Sequence, residues 1–273
     1  MKTLQNQTLL YDEDCPLCQV YTTAFIKAKM LDENGRKSYC QLNENEQKFV
    51  DINRASNEIA LIDNQNKTVI YGIDSLLKVI GFSFPVIEKM GTMKPIKYFL
   101  KKLYSFVSYN RKVIIPSKIN REIKLQCVPN FNYKYRFLFI GFAATITTIV
   151  LYNYSLLIPI LPKASVIREF LMTLGQIVFQ SLFLLKFDKK TFLNYAGNLM
   201  TVSLMGSLLL LPILALQTVI NVSGNIILIW FGITAFIMFI EHFRRIKILE
   251  LPAYLCITWV MYRIIVLLLI LNL

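Results

Sequence analysis

From Phe137 onward the chain is a succession of apolar stretches, at about 137–159, 168–187, 192–216, 225–242 and 253–272. Each is near the length needed to cross a bilayer, since about 20 apolar residues traverse roughly 30 Å of hydrocarbon. Inside lipid no water satisfies backbone N–H and C=O groups, so a segment there closes its hydrogen bonds internally, as a helix or a sealed barrel. Continuous apolar runs without period-two alternation select the helix. Residues 136–273 are therefore expected to form an all-α transmembrane bundle of about five spans. No repeat relates the five runs to one another.

The first half is different in kind. The whole chain is 273 residues, 55% apolar, with a mean hydropathy of +0.48. That excess is concentrated in the runs above, and residues 1–135 have the mixed composition of a globular domain. The opening Met1-Lys2-Thr3-Leu4-Gln5-Asn6-Gln7 lacks the apolar core of a signal peptide, so this domain is expected to stay on the cytosolic side. Lys186, Lys189 and Lys190 follow the second run, and Arg244, Arg245 and Lys247 follow the fourth. The opposite loops carry only Lys163 and Arg168, and 217–224 is uncharged. By the positive-inside rule the N-terminus lies in the cytosol and, after five crossings, the C-terminus lies on the opposite side.

Net charge is +13, and residues 89–135 hold eleven Lys/Arg against the single acid Glu122. A basic belt ahead of the first span suits anionic lipid headgroups. No nucleic-acid recognition motif accompanies it, which argues against nucleic acid as a partner. Within the belt, Ile96, Phe99, Leu100, Leu103, Phe106 and Val107 share one helical face, with Lys94, Lys97, Lys101 and Lys102 around it. This is the pattern of an interfacial helix or, equally, of a helix that caps a soluble domain.

Residues 1–90 alternate strand and helix signals. Thr8–Tyr11 is a strand candidate. Pro16 to about Met30 is a helix with Pro16 in its tolerated first turn, ended by the turn Asp32-Glu33-Asn34-Gly35. Ser38–Leu42 is a weak strand and Glu44–Asn53 a short helix. Glu58–Asp63 and Thr68–Tyr71 flank Asn64-Gln65-Asn66-Lys67 as a hairpin, and Asp74 to about Ile80 is a helix. Strand, helix, strand, hairpin, helix gives a small mixed sheet layered with helices, and the expected fold class is an α/β thioredoxin-like domain. Residues 91–135 then form a basic connector to the membrane half.

At the first strand-to-helix turn stands Asp12-Glu13-Asp14-Cys15-Pro16-Leu17-Cys18. Two thiols at this spacing can close a ring, and the helix N-terminus favours a thiolate on the first. Cys15 is thus the candidate nucleophile, open to water, and Cys18 the shielded resolving partner. The acids Asp12, Glu13 and Asp14 oppose the helix terminus, directly or through Asp14 as a cap, and predict a less acidic Cys15 and a reducing couple. Cys40, Cys127 and Cys256 are scattered singletons, better suited to packing. Zinc wants about four ligands, and Cys40 is the only further thiol expected in the domain core, so no metal and no bound cofactor are expected. A purely structural buried Cys pair remains the competing reading.

These residues resemble the D-x-D-C-x-x-C signature of the DCC thiol-disulfide oxidoreductase family. Tyr71-Gly72-Ile73-Asp74-Ser75 and the stretch from Tyr104 to Asn110-Arg111 are similar to later elements of that family, so the resemblance covers roughly residues 5–115. It implies a thioredoxin-like fold, Cys15 and Cys18 as the redox pair, and a disulfide-containing or dithiol partner. One departure stands out. Thioredoxins and glutaredoxins carry a cis-proline opposite the dithiol, whereas Asn53-Arg54-Ala55-Ser56-Asn57-Glu58 contains no proline.

The membrane half carries its own oddities. Arg263 falls near the middle of the last run, four residues from Trp259, on which it can stack. A charge at that depth is expected to face the bundle interior, a cavity or a partner. Gln176 and Gln180 share a face, as do Asn194 and Asn198. These groups either hydrogen-bond helix to helix or line a polar pocket for a quinone, a lipid headgroup or a small solute. Glu241-His242-Phe243-Arg244-Arg245 is expected to anchor the end of the fourth span. The chain therefore reads as a membrane-anchored, cytosol-facing thiol-disulfide oxidoreductase. The alternative is a bundle that binds or moves a lipid-soluble or small ligand, with the CxxC domain regulating or docking.

Overall fold

A computed structural model describes residues 2–117 and 129–272. Cys127 and Glu122 lie outside the described residues. The molecule is 68% helical with one small four-stranded mixed sheet, and it divides into two compact units, Met1–Tyr135 and Arg136–Leu273.

The first unit is built on β1 (Gln7–Tyr11), β2 (Arg36–Ser38), β3 (Ala60–Asp63) and β4 (Thr68–Tyr71), in the order β2-β1-β3-β4. β1 runs parallel to β2, with Leu10 opposite Lys37, and antiparallel to β3, with Leu10 opposite Ala60. β3 and β4 form the antiparallel hairpin. The parallel pair requires a crossover, which α1 (Pro16–Lys27) supplies. Leu9, Leu61 and Val79 of α4 (Ile73–Ser83) pack on one face of the sheet. Leu10, Tyr39, Ala60 and Ile62 pack on the other, as period-two alternation requires.

Local chemistry moves several boundaries. The second strand is Arg36–Ser38 rather than 38–42, because the Ser38 side chain accepts from Cys40 N and starts a 3₁₀ turn, Tyr39–Gln41. The expected helix at 44–53 is two, α2 (Glu44–Gln47) and α3 (Ile52–Asn57). Asn43 and Glu46 form a reciprocal capping box on α2, and Asp51 accepts from Arg54 N to start α3. After α5 (Pro85–Thr92) comes α6, Lys94–Ile114, 21 residues long. Its Tyr104, Ser108 and Arg111 turn toward the strands, whereas Phe99 and Leu103 are exposed.

The second unit contains α7 (from Arg136 to Ser155 of Tyr133–Ser155), α8 (Val166–Ser181), α9 (Lys189–Gln217), α10 (Gly224–Ile248) and α11 (Tyr254–Leu271). Among the described residues four helices, α7, α9, α10 and α11, are long and apolar enough to cross a membrane. The second of the five expected spans is the exception. α8 has 16 residues, about 24 Å at 1.5 Å per residue, and the chain leaves it for turns before Asp188 caps α9.

The polar end of α10 also differs from expectation. Arg244 pairs with Glu241 at the surface, but His242 and Arg245 are buried, 1% and 4% exposed. Arg245 reaches Glu241 at 2.8 Å and Asn198 Oδ1 of α9 at 2.8 Å, while His242 Nε2 meets the Tyr195 hydroxyl at 3.1 Å. This end of the helix ties α9 to α10 instead of only setting depth. Gln180 likewise joins α8 to α11, donating to Leu255 O and accepting from Thr258.

Candidate functional site: a buried dithiol

Cys15 is the N-cap of α1, with no side-chain cap bond, and Pro16 follows as the first helical residue. Pro16 has no N–H, so nothing is lost by opening the helix there. Asp14 does not cap. Its backbone N–H instead donates to Asp12 Oδ1 at 3.1 Å, and Cys15 N donates to Asp12 O at 3.1 Å, so the three residues close a tight turn. One helical turn on, Cys18 brings its thiol to the Cys15 sulfur.

The two thiols are driven apart in acidity. Cys15 is pulled down to about 6, first by hydrogen bonding from the Cys18 thiol, with help from the Cys18 N–H and the Arg111 charge against the opposing effect of burial. Cys18 is pushed well up, because it donates its proton to Cys15 and is itself buried. One proton is shared by a pair in which Cys15 holds the negative charge. This corrects the expectation of a less acidic Cys15. Of the three acids expected to raise it, Asp12 still does so, but weakly, because it is 4% exposed and paired with Arg111 at 3.4 Å and Lys112 at 3.2 Å.

Exposure is the second correction. Cys15, expected to be open to water, is 0% exposed, and Cys18 is 6% exposed. A cavity of about 60 Å³ lies on the Cys18 side, lined by Asp12, Cys18, Tyr21, Glu58, Tyr104 and Arg111 among others. It has room for a few water molecules. Tyr21 hydrogen-bonds the Cys18 sulfur, and burial raises the phenols of both Tyr21 and Tyr104, so both stay protonated.

α6 supplies what the motif alone could not. The Tyr104 hydroxyl accepts from Ile59 N at 2.8 Å, and Ser108 donates to Asn57 O. Arg111 donates to Ser56 O at 3.0 Å while holding Asp12. The loop entering β3 is thus pinned by the side chains of α6, and every peptide bond among the described residues is trans. Gly72 completes this cluster. Its φ of +65° is one that L side chains rarely adopt, and an added Cβ would meet the Glu58 carboxylate at 2.7 Å and Tyr104 at 3.5 Å. So Asp12, Tyr104 and Arg111, distant in sequence, meet at one buried dithiol, with Gly72 backing Glu58 and Tyr104. Sequence reasoning quoted Tyr104 and Arg111 but gave them no role; a lone arginine amid a lysine-rich helix was the available signal.

Cys40 stands outside the pair, with its thiol pushed up by burial and by Glu13. Cys256 is buried in the second unit. Among the described residues no three His, Cys, Asp or Glu side chains gather as metal ligands. No family model, curated protein or solved structure matches the chain.

Proposed function

We propose that the first unit is a thioredoxin-like thiol-disulfide oxidoreductase domain of the DCC type, carried on a membrane bundle. The observation that supports it best is the arrangement of the pair, Cys15 at the N-terminus of α1 with the Cys18 thiol hydrogen-bonded to its sulfur, which lowers the pKa of Cys15 and raises that of Cys18. The strand order β2-β1-β3-β4 with α1 crossing over after the dithiol agrees with such a fold.

In the reaction, the Cys15 thiolate attacks one sulfur of a partner's disulfide. The partner S–S bond breaks, its second sulfur leaves as a thiolate, and a mixed disulfide joins the two proteins. Cys18 then gives up its proton and attacks the Cys15 sulfur, releasing the partner's first sulfur. The partner gains two electrons and the enzyme is left with a Cys15–Cys18 disulfide. The reverse sequence reloads it from a dithiol donor, and no cofactor takes part. Asp12, Arg111 and Lys112 keep the site's charge balanced as thiolate and thiol interchange.

Substrate docking differs from that of thioredoxins in this reading. There the backbone before the third strand offers hydrogen bonds beside a cis-proline. Here the carbonyls of Ser56 and Asn57 and the N–H of Ile59 are already taken by Arg111, Ser108 and Tyr104. Access comes instead from displacement of the chain that covers Cys15. The loop charges orient the domain to the cytosol, with α8 and the apolar turn after it crossing where the bilayer thins locally, and the C-terminus outside.

The experiment is mixed-disulfide trapping in native membranes. Cys18→Ser is expected to accumulate a reducible covalent adduct through Cys15, and Cys15→Ser to accumulate none. A pair that stays wholly reduced after prolonged equilibration in an oxidising glutathione buffer, with no adduct from Cys18→Ser, overturns the proposal.

A further inference from the structure

The second unit encloses a cavity of about 250 Å³ between its helices. An engineered apolar cavity of about 150 Å³ already admits benzene, so this one is of ligand size. Most of its wall is hydrocarbon, from residues such as Leu151, Leu210, Val266 and Ile270. Three polar groups on that wall have side-chain atoms with no hydrogen-bond partner in the protein, Thr147 Oγ1, the Gln176 amide and Arg263 Nε. Gln176 is 3% exposed, and neither its amide nitrogen nor its amide oxygen has a hydrogen-bond partner. Arg263, the tenth residue of the 18-residue α11, lies with its guanidinium 4.1 Å from the centre of the Trp259 ring. Its Nε is buried without a partner, and no carboxylate pairs with it among the described residues.

The other charges at the cavity are already matched. Glu169, 1% exposed, is held by Arg168 at 2.7 Å and by Ser155 at 3.1 Å. What remains is one net positive charge, the unpartnered Gln176 amide and the Thr147 hydroxyl, all from residues that line an otherwise apolar chamber. A cation so placed is costly unless something compensates it, and the face of Trp259 holds the guanidinium in position without cancelling its charge. An amide with both ends unmet is costly for the same reason. A guanidinium accepts a carboxylate or a phosphate monoester in a two-point fork. The Gln176 amide can complete the head-group shell, and the aliphatic wall accepts a chain.

We propose that this cavity binds a single-tailed acidic amphiphile, its anionic head on Arg263 and Gln176 and its hydrocarbon chain along the apolar lining. This does not depend on the redox reading of the first unit.

The test uses the full chain in detergent. The protein has two tryptophans, Trp230 and Trp259, so Trp230→Phe leaves Trp259, beside the head-group site, as the sole indole reporter. Brominated dodecanoate and brominated dodecyl phosphate are titrated as quenchers, with brominated methyl dodecanoate as the uncharged control. Saturable quenching is expected from at least one acid, with about tenfold weaker binding of the ester, the worth of one charge-assisted hydrogen bond. Arg263→Gln is expected to abolish the preference for the acid and Arg263→Lys to retain most of it. Should the arginine variants fail to fold, Gln176→Leu serves, with binding of the preferred acid expected to weaken severalfold. Equal binding of acids and ester, or an acid preference that survives Arg263→Gln, overturns the proposal. So does an absence of saturable quenching by either acid.

Discussion

Each unit sets an arginine among its helices, and Arg111 and Arg263 are handled in opposite ways. In the first, Arg111 is 5% exposed and meets the equally buried Asp12, with Lys112 close by. The charge is compensated inside the fold, and its remaining effect is spent on the Cys15 sulfur. In the second, Arg263 has an aromatic face beneath it and, among the described residues, no acid paired with it. A matched buried charge is architecture, and an unmatched one facing a cavity is an invitation to a ligand. Arg245, with Glu241 and Asn198, shows that the second unit can also match a cation when the fold requires it.

Substitutions can break or sharpen this contrast. Asp12→Ala should do most damage, since it leaves Arg111 buried without its acid. A loss of about 3–5 kcal/mol is expected, visible as early melting of the strand signal in circular dichroism of the full chain. Both tryptophans lie in the second unit, so their fluorescence should be little affected. Gly72→Ala should cost about 1–3 kcal/mol by the same measurement, because the backbone angle and the Glu58 carboxylate both resist a Cβ.

Arg263→Met tests the other half of the contrast. It removes an uncompensated cation at the cost of its stacking on Trp259, and with no ligand present it should stabilise the second unit by about 1 kcal/mol. A large destabilisation, read by tryptophan fluorescence during unfolding, would mean that the protein itself compensates this charge.

The acidity of Cys15 supplies a finer test. Thiolate is the reactive form, so alkylation of Cys15 by a small haloacetamide in a Cys18-intact protein should rise with pH through about 6 and level off by neutrality. Arg111→Gln removes a stabilising positive charge and should move that midpoint upward; an unmoved midpoint excludes the electrostatic role given to Arg111. The smallest effect is expected for Lys97→Ala. Its bridge to Asp74 is exposed on both sides, and the melting change should stay within about 0.5 kcal/mol.

Much of the frame was legible because it is written locally. The apolar runs located α7, α9, α10 and α11, and the turn chemistry of Asn64–Lys67 located the β3–β4 hairpin. The second run differs from the others because its apolar length continues through Leu182–Phe187, whereas the helix stops at Ser181. The dithiol itself was plain from its spacing, but its setting was not. That Asp12 would be neutralised, and that Tyr104, Ser108 and Arg111 would pin the loop before β3, depends on contacts across about fifty to a hundred residues. Periodicity cannot report these. Arg245 was read only as part of the anchor that ends the fourth span for the same reason, its partner Asn198 being on another helix.

The enclosure of Cys15 sets a tempo as well as a geometry. With none of its surface meeting solvent, an outside sulfur must wait for the surrounding chain to part, so the proposed exchange would have a ceiling rate that no excess of disulfide can raise. The same delay shelters the reduced pair from stray peroxide, and a partner able to pry the fold open gains an advantage over any small oxidant.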